Sequence, residues 1–344
     1  MASTFKALSS TDTTTTRTLL NEVIPLTGTI VSGTYSDANI KNYSHGMFQS
    51  VYDYPYLSSS ANHIFDLTVG YHTSSTIANS ANTLNTKKIN IYNQMAQVLV
   101  GHDTTGNIQL FDQDGDLTSG GTKLTECVFV NFARLLTKDE VKKGSFEIKV
   151  FTGSANSTPA NLLTISDYGA ASSFKVNSPA GEYGILYTSS ATPNSTSGVG
   201  LLYYQAGIAV LTASIFNGAF GPRTDTSTAT GSISTYLQTG SISGSADGFR
   251  NRLYNVQFNN TTELNSTIYF CRASHNEFNY SSNPTYLSSS KIVVKNTSTD
   301  APVSYITTVG LYASDNELLA VAKISEPLKK DPTNELTIRV RLDY

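Results

Sequence analysis

The stretch DQDGDL, Asp112 to Leu117, carries three carboxylates at alternate positions, a spacing with which a turn can wrap a hard cation such as calcium. A twelve-residue calcium loop also requires glycine in sixth place and a bidentate glutamate in twelfth, where this chain has Leu117 and Lys123. The stretch therefore reads as a solvated turn around Asp114-Gly115, with adventitious occupancy by a divalent ion as the alternative. His63, Asp66 and His72 form a second set of candidate ligands. Their spacing fits no zinc signature, and a strand running through residues 63 and 72 points them to opposite faces. No metal site and no cofactor are expected.

Nucleophilic and phosphate chemistry has no anchor in the chain, which contains no G-x-S-x-G, P-loop, dinucleotide fingerprint or H-E-x-x-H. An acid and base pair of the glycoside-hydrolase kind could still be assembled from distant strands, for instance from Asp53, Asp66 or Glu182. Nothing in their spacing selects a pair, and no catalytic residues are expected. The run Tyr43, Tyr52, Tyr54 and Tyr56 offers large apolar area with polar tips, which suits a protein interface or a sugar-stacking platform. An ordinary half-buried loop packed by its own aromatics is the plainer alternative. Since sugar platforms often use Trp and this chain has none, a subunit interface is the preferred of the two functional readings.

The elements that must position these residues are mostly strands. The chain has 344 residues, of which only 14% are charged, and a net charge of -3. Surface polarity must come from Ser, Thr, Asn and Gly, accompanied by 20 Tyr and 15 Phe, a vocabulary of strands and turns. Without a basic excess there is no electrostatic footprint for a phosphate backbone, so nucleic acid is not an expected partner. The opening MASTFKALSSTDTTTTRTLL lacks the apolar stretch of a signal peptide, and no segment reaches the length of a membrane span. These features predict synthesis in a cytoplasm, no membrane span, and free thiols at Cys127 and Cys271.

Along the chain, residues 1–20 read as an extended Thr-rich arm. A mixed α+β domain over 21–144 follows, containing the strand HIFDLTVGY and two helices. The first helix lies in NTKKINIYNQMAQVLVG, with Thr86 as cap, Ile89, Tyr92, Met95, Ala96 and Leu99 on one face and Gly101 after the last turn. The second spans Thr137 to Lys143, where Thr137 and Glu140 have capping-box spacing. Residues 145–260 read as a β-rich region with strands in SFEIKVFTG, EYGILYTSS, GLLYYQAG, IAVLTASIF and RLYNVQFNN, interrupted by a long Ser/Thr/Gly loop from Ala219 to Gly248. Residues 261–344 read as an antiparallel β-sandwich with strands in STIYFCRAS, KIVVK, SYITTVGLY, ELLAVAKI and ELTIRVRLDY. An Asp315-Asn316 turn joins two of these strands, and EPLKKDPTN forms a longer connection. In the last strand Leu336, Ile338, Val340 and Leu342 face inward, Thr337, Arg339, Arg341 and Asp343 face out, and Tyr344 covers the edge of the core.

The stretch HNEFNYSSNPTYLSSSKIVV, followed by ITTVGLYASDNELLAVAKISEPLKKDPTNELTIRVRLDY, resembles a module in virion structural proteins of contractile-tailed phages, particularly those of marine bacteria. Within it GLYASDNELLAVAK is similar to the GLYD-x-x-G-x-LIAV strand pair of tail-collar fibre proteins, with Asn316 and Glu317 standing where that family has a Gly-containing turn. The run IKNYSHGMFQSVYDYPYLSSSANHIFDLTVGYH with INIYNQMAQVLVG also resembles uncharacterised structural proteins of such phages. The resemblance implies a non-enzymatic building block of the virion, in the tail, baseplate or neck, made in the host cytoplasm. Its partners would be other virion proteins and copies of itself, as a homo-oligomer or a symmetric ring around the tail axis. Interface candidates are Tyr43, Tyr52, Tyr54, Tyr56, Arg339, Arg341 and Tyr344. A receptor- or glycan-binding attachment module is the alternative.

Overall fold

Strands dominate the computed structural model, which describes residues 5–25, 37–82, 84–117, 120–151, 162–188, 198–216, 233–280, 287–288, 291–292 and 302–344. In chain order the strands are β1 (Thr13–Pro25), β2 (Ile40–Asn42), β3 (Gln49–Tyr52), β4 (His63–Tyr71), β5 (Glu126–Phe132), β6 (Glu140–Val141), β7 (Glu147–Phe151), β8 (Leu162–Ser166) and β9 (Tyr183–Thr188). They continue with β10 (Gly198–Tyr203), β11 (Ile208–Thr212), β12 (Leu253–Ala273), β13 (Leu287–Ser288), β14 (Lys291–Ile292), β15 (Ser304–Tyr312), β16 (Leu318–Lys330) and β17 (Leu336–Asp343). The helices are α1 (Asn85–Leu99), α2 (Arg134–Thr137), α3 (Ala170–Ser173), α4 (Ile233–Thr239) and α5 (Ile242–Arg250). The mainly β character follows from the composition.

The chain divides into two units, Leu20–Thr262 and a second made of Met1–Leu19 with Glu263–Tyr344. The expected boundary at residue 144 does not separate two domains. β5 pairs with β4 on one side and with β11 on the other, so strands from both proposed regions interleave in one sheet. The first residues likewise do not form a separate arm. Arg17 is ion-paired with Glu263, and Arg272 Nε lies 2.8 Å from Asp12 Oδ1.

In the large unit the strands follow the order β12-β7-β8-β9-β10-β11-β5-β4-β3-β2. β4, β5, β9, β10 and β11 are buried along most of their length, which is why their sequences read as near-continuous apolar runs rather than as alternation. Aromatic rings replace the absent Trp in the core. Phe132 lies 5.2 Å from Phe258 and 5.8 Å from Phe146, while Tyr92, Phe111 and Phe129 form a second group. α1 lies against β4 at Gly70, where a Cβ would come within 2.8 Å of the Lys88 carbonyl, so only glycine permits the approach.

Several local expectations are corrected. Thr86 lies inside the first turn of α1, because the chain enters through Leu84 at φ 61 and Tyr71 Oη donates to Asn85 Oδ1 at 2.8 Å. Thr137 ends α2 rather than starting a helix, since Lys138 adopts φ 55 and Glu140–Val141 pairs with β12. The expected loop from Ala219 to Gly248 is helical from Ile233 onward. Ser241 Oγ caps α5 by accepting from Gly244 N, and Ile233, Leu237, Ile242, Ala246 and Phe249 are buried. Its earlier part lies outside the described residues.

The C-terminal unit is built differently. β12 pairs antiparallel with β17, from Ser266 opposite Asp343 to Ala273 opposite Leu336, and β1 also neighbours β12. RLYNVQFNN and STIYFCRAS are therefore parts of one strand. β15 and β16 form a hairpin whose turn places Asn316 at φ 68, the left-handed conformation that Asn tolerates. The expected connection EPLKKDPTN is shorter than its sequence suggests, because Ser325–Lys330 continues β16 and Lys330 pairs with Ser304. Of KIVVK, only Lys291–Ile292 is described as strand, opposite Leu287–Ser288, and the rest lies outside the described residues. β17 alternates as expected, but its inward row Leu336, Ile338, Val340 and Leu342 is only half-buried. Among the described residues after Ala273, the buried side chains are Asn279 and Lys330, both polar.

Candidate functional site

β2, β3 and β4 align Lys41, Ser50 and Asp66 in one cross-strand row. Asp66 Oδ1 accepts from Ser50 Oγ and lies 2.8 Å from His63 Nε2. The hydrogen bond to Asp66 raises the His63 pKa above its ordinary value, against the opposing effect of burial. Tyr43 Oη is 3.3 Å from Ser50 Oγ, and Lys41 Nζ sits 4.9 Å above the Tyr43 ring. The His45 ring stacks on Tyr43 at 5.1 Å, Phe48 packs beside both, and Tyr52 lies 5.5 Å from His63 and 6.3 Å from Tyr56. Aspartate lies between serine and histidine in this constellation, so the serine proton is directed to a carboxylate, and Ser50 is 2% exposed. The arrangement orders an aromatic surface around a buried serine hydroxyl.

Beside this cluster lies an open cleft of about 390 Å³ lined by Ala38, Ile40, Asn42, Pro55, Tyr56 and Leu57. Tyr56 N donates to Ala38 O at 2.9 Å, which ties the 53–57 loop to the start of β2. Leu57 and Tyr54 are exposed. The lining offers a phenol, a carboxamide and apolar walls, able to stack and hydrogen-bond a ligand but without an acid-base pair.

The acidic turn is more organised than its sequence suggests. Ligand atoms of Asp112, Asp114 and Asp116 lie within 4.8 Å of one another. Asp112 is buried, and its Oδ2 accepts from Leu117 N at 2.9 Å and from Lys123 Nζ at 3.0 Å. Leu117, in the position where a calcium loop has glycine, adopts φ 57. Burial raises the Asp112 pKa, and the ion pair with Lys123 opposes the shift. The lysine ammonium thus gives Asp112 the positive counter-charge that the bound cation gives the first aspartate of a calcium loop.

The other candidate ligands and carboxylates do not converge among the described residues. His72 Nδ1 lies 2.8 Å from Ser74 Oγ, away from the His63–Asp66 pair. Asp53 accepts from Asn62 N at 2.6 Å and Nδ2 at 2.9 Å, closing a turn. Glu182 pairs with Lys143 at 2.5 Å. Each of Asp53, Asp66 and Glu182 has its own structural partner. Both cysteines are free thiols, Cys127 buried and Cys271 half-buried.

In the C-terminal unit, Arg339 and Arg341 share the exposed face of β17. Arg341 donates to Asp343 Oδ1 at 2.7 Å and to Ser266 Oγ at 3.0 Å. Tyr344 covers no core edge. It is 68% exposed, with its hydroxyl 3.2 Å from Thr267 Oγ1. The seven interface candidates thus form two sets on different units, the tyrosines on one and the C-terminal residues on the other.

Three buried titratable groups gave no sequence signal. Lys88 donates to Leu237 O at 2.6 Å and Gly240 O at 2.8 Å, holding the end of α4, and desolvation lowers its pKa to about 8. Asp167 accepts from Gly144 N at 2.7 Å, Phe146 N at 3.0 Å and Tyr204 Oη at 3.0 Å, and burial raises its pKa to about 6. Arg252 donates to Gly248 O at 3.0 Å and is 1% exposed. All three hold backbone segments in place.

In comparisons with known protein families, with curated proteins and with solved structures, the chain shows no significant match. Among the described residues no helix is long and apolar enough to cross a membrane.

Proposed function

We propose that the chain is a non-enzymatic structural component of a tailed-phage virion, in the tail, baseplate or neck, acting by subunit-subunit assembly. The observation that supports this reading is the C-terminal unit, whose strands carry regular apolar rows without a fully buried apolar side chain after Ala273 among the described residues. Tyr305, Tyr312, Leu319 and Val321 are exposed on its hairpin. A two-stranded hairpin is marginal in water by itself, and apolar surface of this kind is ordinarily covered by a partner. The low charge density of the chain makes such burial inexpensive in desolvation. Sedimentation of the purified chain, together with mass spectrometry of purified particles, tests the reading. Self-association and presence in particles at fixed stoichiometry are expected, and a strictly monomeric chain absent from particles would overturn it.

The cleft beside β2 favours a second reading, glycan or receptor attachment, because Tyr56 and Asn42 combine a ring face with an amide. A glycan array with the native chain and Tyr56→Ala separates the two. Binding lost in the variant would support attachment, and silence of the native chain would remove it.

A further inference from the structure

Asn279 and Lys330 invert the usual order of burial in the C-terminal unit. Phe278 and Tyr280 are exposed, while the carboxamide of Asn279 between them is buried. Phe278 adopts φ 54, a left-handed conformation that is costly for a bulky residue. Lys330, the last residue of β16, is 0% exposed. A strained backbone and a buried lysine both cost stability, and here both accompany the meeting of the same two side chains.

Lys330 Nζ donates to Asn279 Oδ1 at 2.6 Å, to Asp331 O at 3.0 Å and to His275 O at 3.4 Å. Asn279 Nδ2 donates to His275 O at 2.7 Å, which fixes the carboxamide with its oxygen on the lysine. Since a C=O bond is about 1.2 Å long, Nζ lies no more than about 3.8 Å from the Asn279 carboxamide carbon. All three acceptors of the ammonium are uncharged oxygens. The Asp331 carboxylate is held instead by Lys329 and Thr333. A buried ammonium without an anion is an unfavourable end state.

We propose that Lys330 and Asn279 are the two halves of an intramolecular isopeptide bond, which the folded chain forms by itself. The lysine gives one proton to solvent, and the resulting amine attacks the Asn279 carboxamide carbon. A bond forms between Nζ and that carbon, the bond to Nδ2 breaks, and a second lysine proton passes to Nδ2. The carboxamide nitrogen leaves as ammonia and takes up a proton from solvent, so the step needs no net proton, electron or co-reactant. Fixed orientation supplies the driving proximity, since well-aligned groups reach effective molarities of about 10⁵–10⁸ M. The product suits the site better than the reactants. A neutral amide replaces the buried charge, and its one N–H has Asp331 O and His275 O within reach. The bond ties the segment after β12 to the end of β16, across a separation of 51 residues. A unit without a buried apolar side chain after Ala273 among the described residues gains most from such a staple. Cys271 is its one cysteine, so a disulfide within the unit cannot take that place. The inference is independent of the assembly reading.

The test is the intact mass of the denatured full-length chain, measured fresh and after a week at neutral pH. The expected mass is that of the sequence less one ammonia, and a tryptic digest is expected to yield one branched peptide joining the segments of Asn279 and Lys330. Lys330→Met and Asn279→Ala are expected to keep their full mass. Asn279→Asp is expected to lose water instead of ammonia and to give the same branched peptide, which shows that the carboxyl carbon at this position is the one attacked. A native chain that keeps its full mass after the week, with the two residues in separate peptides, would overturn the proposal. Ammonia loss that persists in Lys330→Met would also overturn it, because the loss would then belong to another asparagine.

Discussion

Lys123 Nζ lies 3.0 Å from Asp112 Oδ2, and the carboxylate it touches is fully buried. The pair gives the buried carboxylate of this aspartate-rich turn a counter-charge from within the chain. Chelation with EDTA is accordingly expected to leave the melting temperature unchanged. Lys123→Met removes the partner of a buried charge and is expected to cost about 3–5 kcal/mol. Lys123→Glu supplies the missing acidic ligand, so its stability should become calcium-dependent. Calcium titration followed by calorimetry checks all three, and a chelator-sensitive native protein would contradict the account.

Asp167 gives a pH signature of definite sign. Its folded pKa is raised to about 6 by burial, above the value of an exposed aspartate. Between about pH 4 and 6 the folded state holds the proton more tightly than the unfolded state, so this group's contribution to stability falls as pH rises through that window. The full span is on the order of 3 kcal/mol. In Asp167→Asn the contribution is absent, so the native protein should gain stability relative to the variant as pH is lowered from 6 to 4. Urea denaturation at a series of pH values measures it.

Lys88 acts in the alkaline range. Desolvation lowers its pKa to about 8, so between pH 8 and about 10 the unfolded state binds the extra proton and stability rises with pH. Above that range the buried phenols of Tyr92, Tyr203 and Tyr204, all raised by burial, reverse the trend, because they ionise first in the unfolded state. Lys88→Met is expected to abolish the rise. It also leaves Leu237 O and Gly240 O without their donor, which should loosen α4 in hydrogen exchange.

Deleting Glu335–Tyr344 removes the partner of Ser266–Ala273. Because Leu336, Ile338, Val340 and Leu342 are half-buried, each contributes less than the roughly 1.5–3 kcal/mol of full burial. The truncated chain is therefore expected to keep exchange protection in β4 and β5 and to lose it at those amides of residues 266–273 that face β17. Loss of protection in all of these strands would show that the large unit depends on β17. Arg339→Ala, on the exposed face, should leave protection unchanged.

How much of this was legible depended on where burial came from. β4 and β9 to β11 were readable because strands covered on both faces must be apolar throughout, and β17 because one covered face imposes alternation. β12 was not readable as a single strand. Its middle, Asn259 to Glu263, is polar and resembles a break, yet Asn260 accepts from Glu22 N and donates to Leu136 O, and Thr261 donates to Asn21. Long-range side-chain bonds replace the apolar pattern there. α4 and α5 were missed for a related reason, since Ser and Gly spacers concealed a set of apolar residues whose burial is tertiary. The tyrosine run between residues 43 and 56 is visible in the sequence, but Ser50, His63 and Asp66 meet only through the β3–β4 register. The Lys123–Asp112 pair was visible as a departure from the calcium pattern, and its meaning required the antiparallel bridge between those two residues.

The pairing of β5 with β11 sets a timetable for synthesis. Asn131 meets Ile208, and Cys127 meets Thr212, so one edge of β5 stays open on the ribosome until the chain through Thr212 has emerged. At about 5–20 residues per second this is a wait of several seconds, during which the apolar run ECVFVNF is available to wrong partners. β7 waits longer, for residues Leu253–Gln257 of β12. Nascent chains of this protein should therefore engage chaperones until β11 is made, and slow codons between β5 and β11 should lower soluble yield more than the same codons placed after β12.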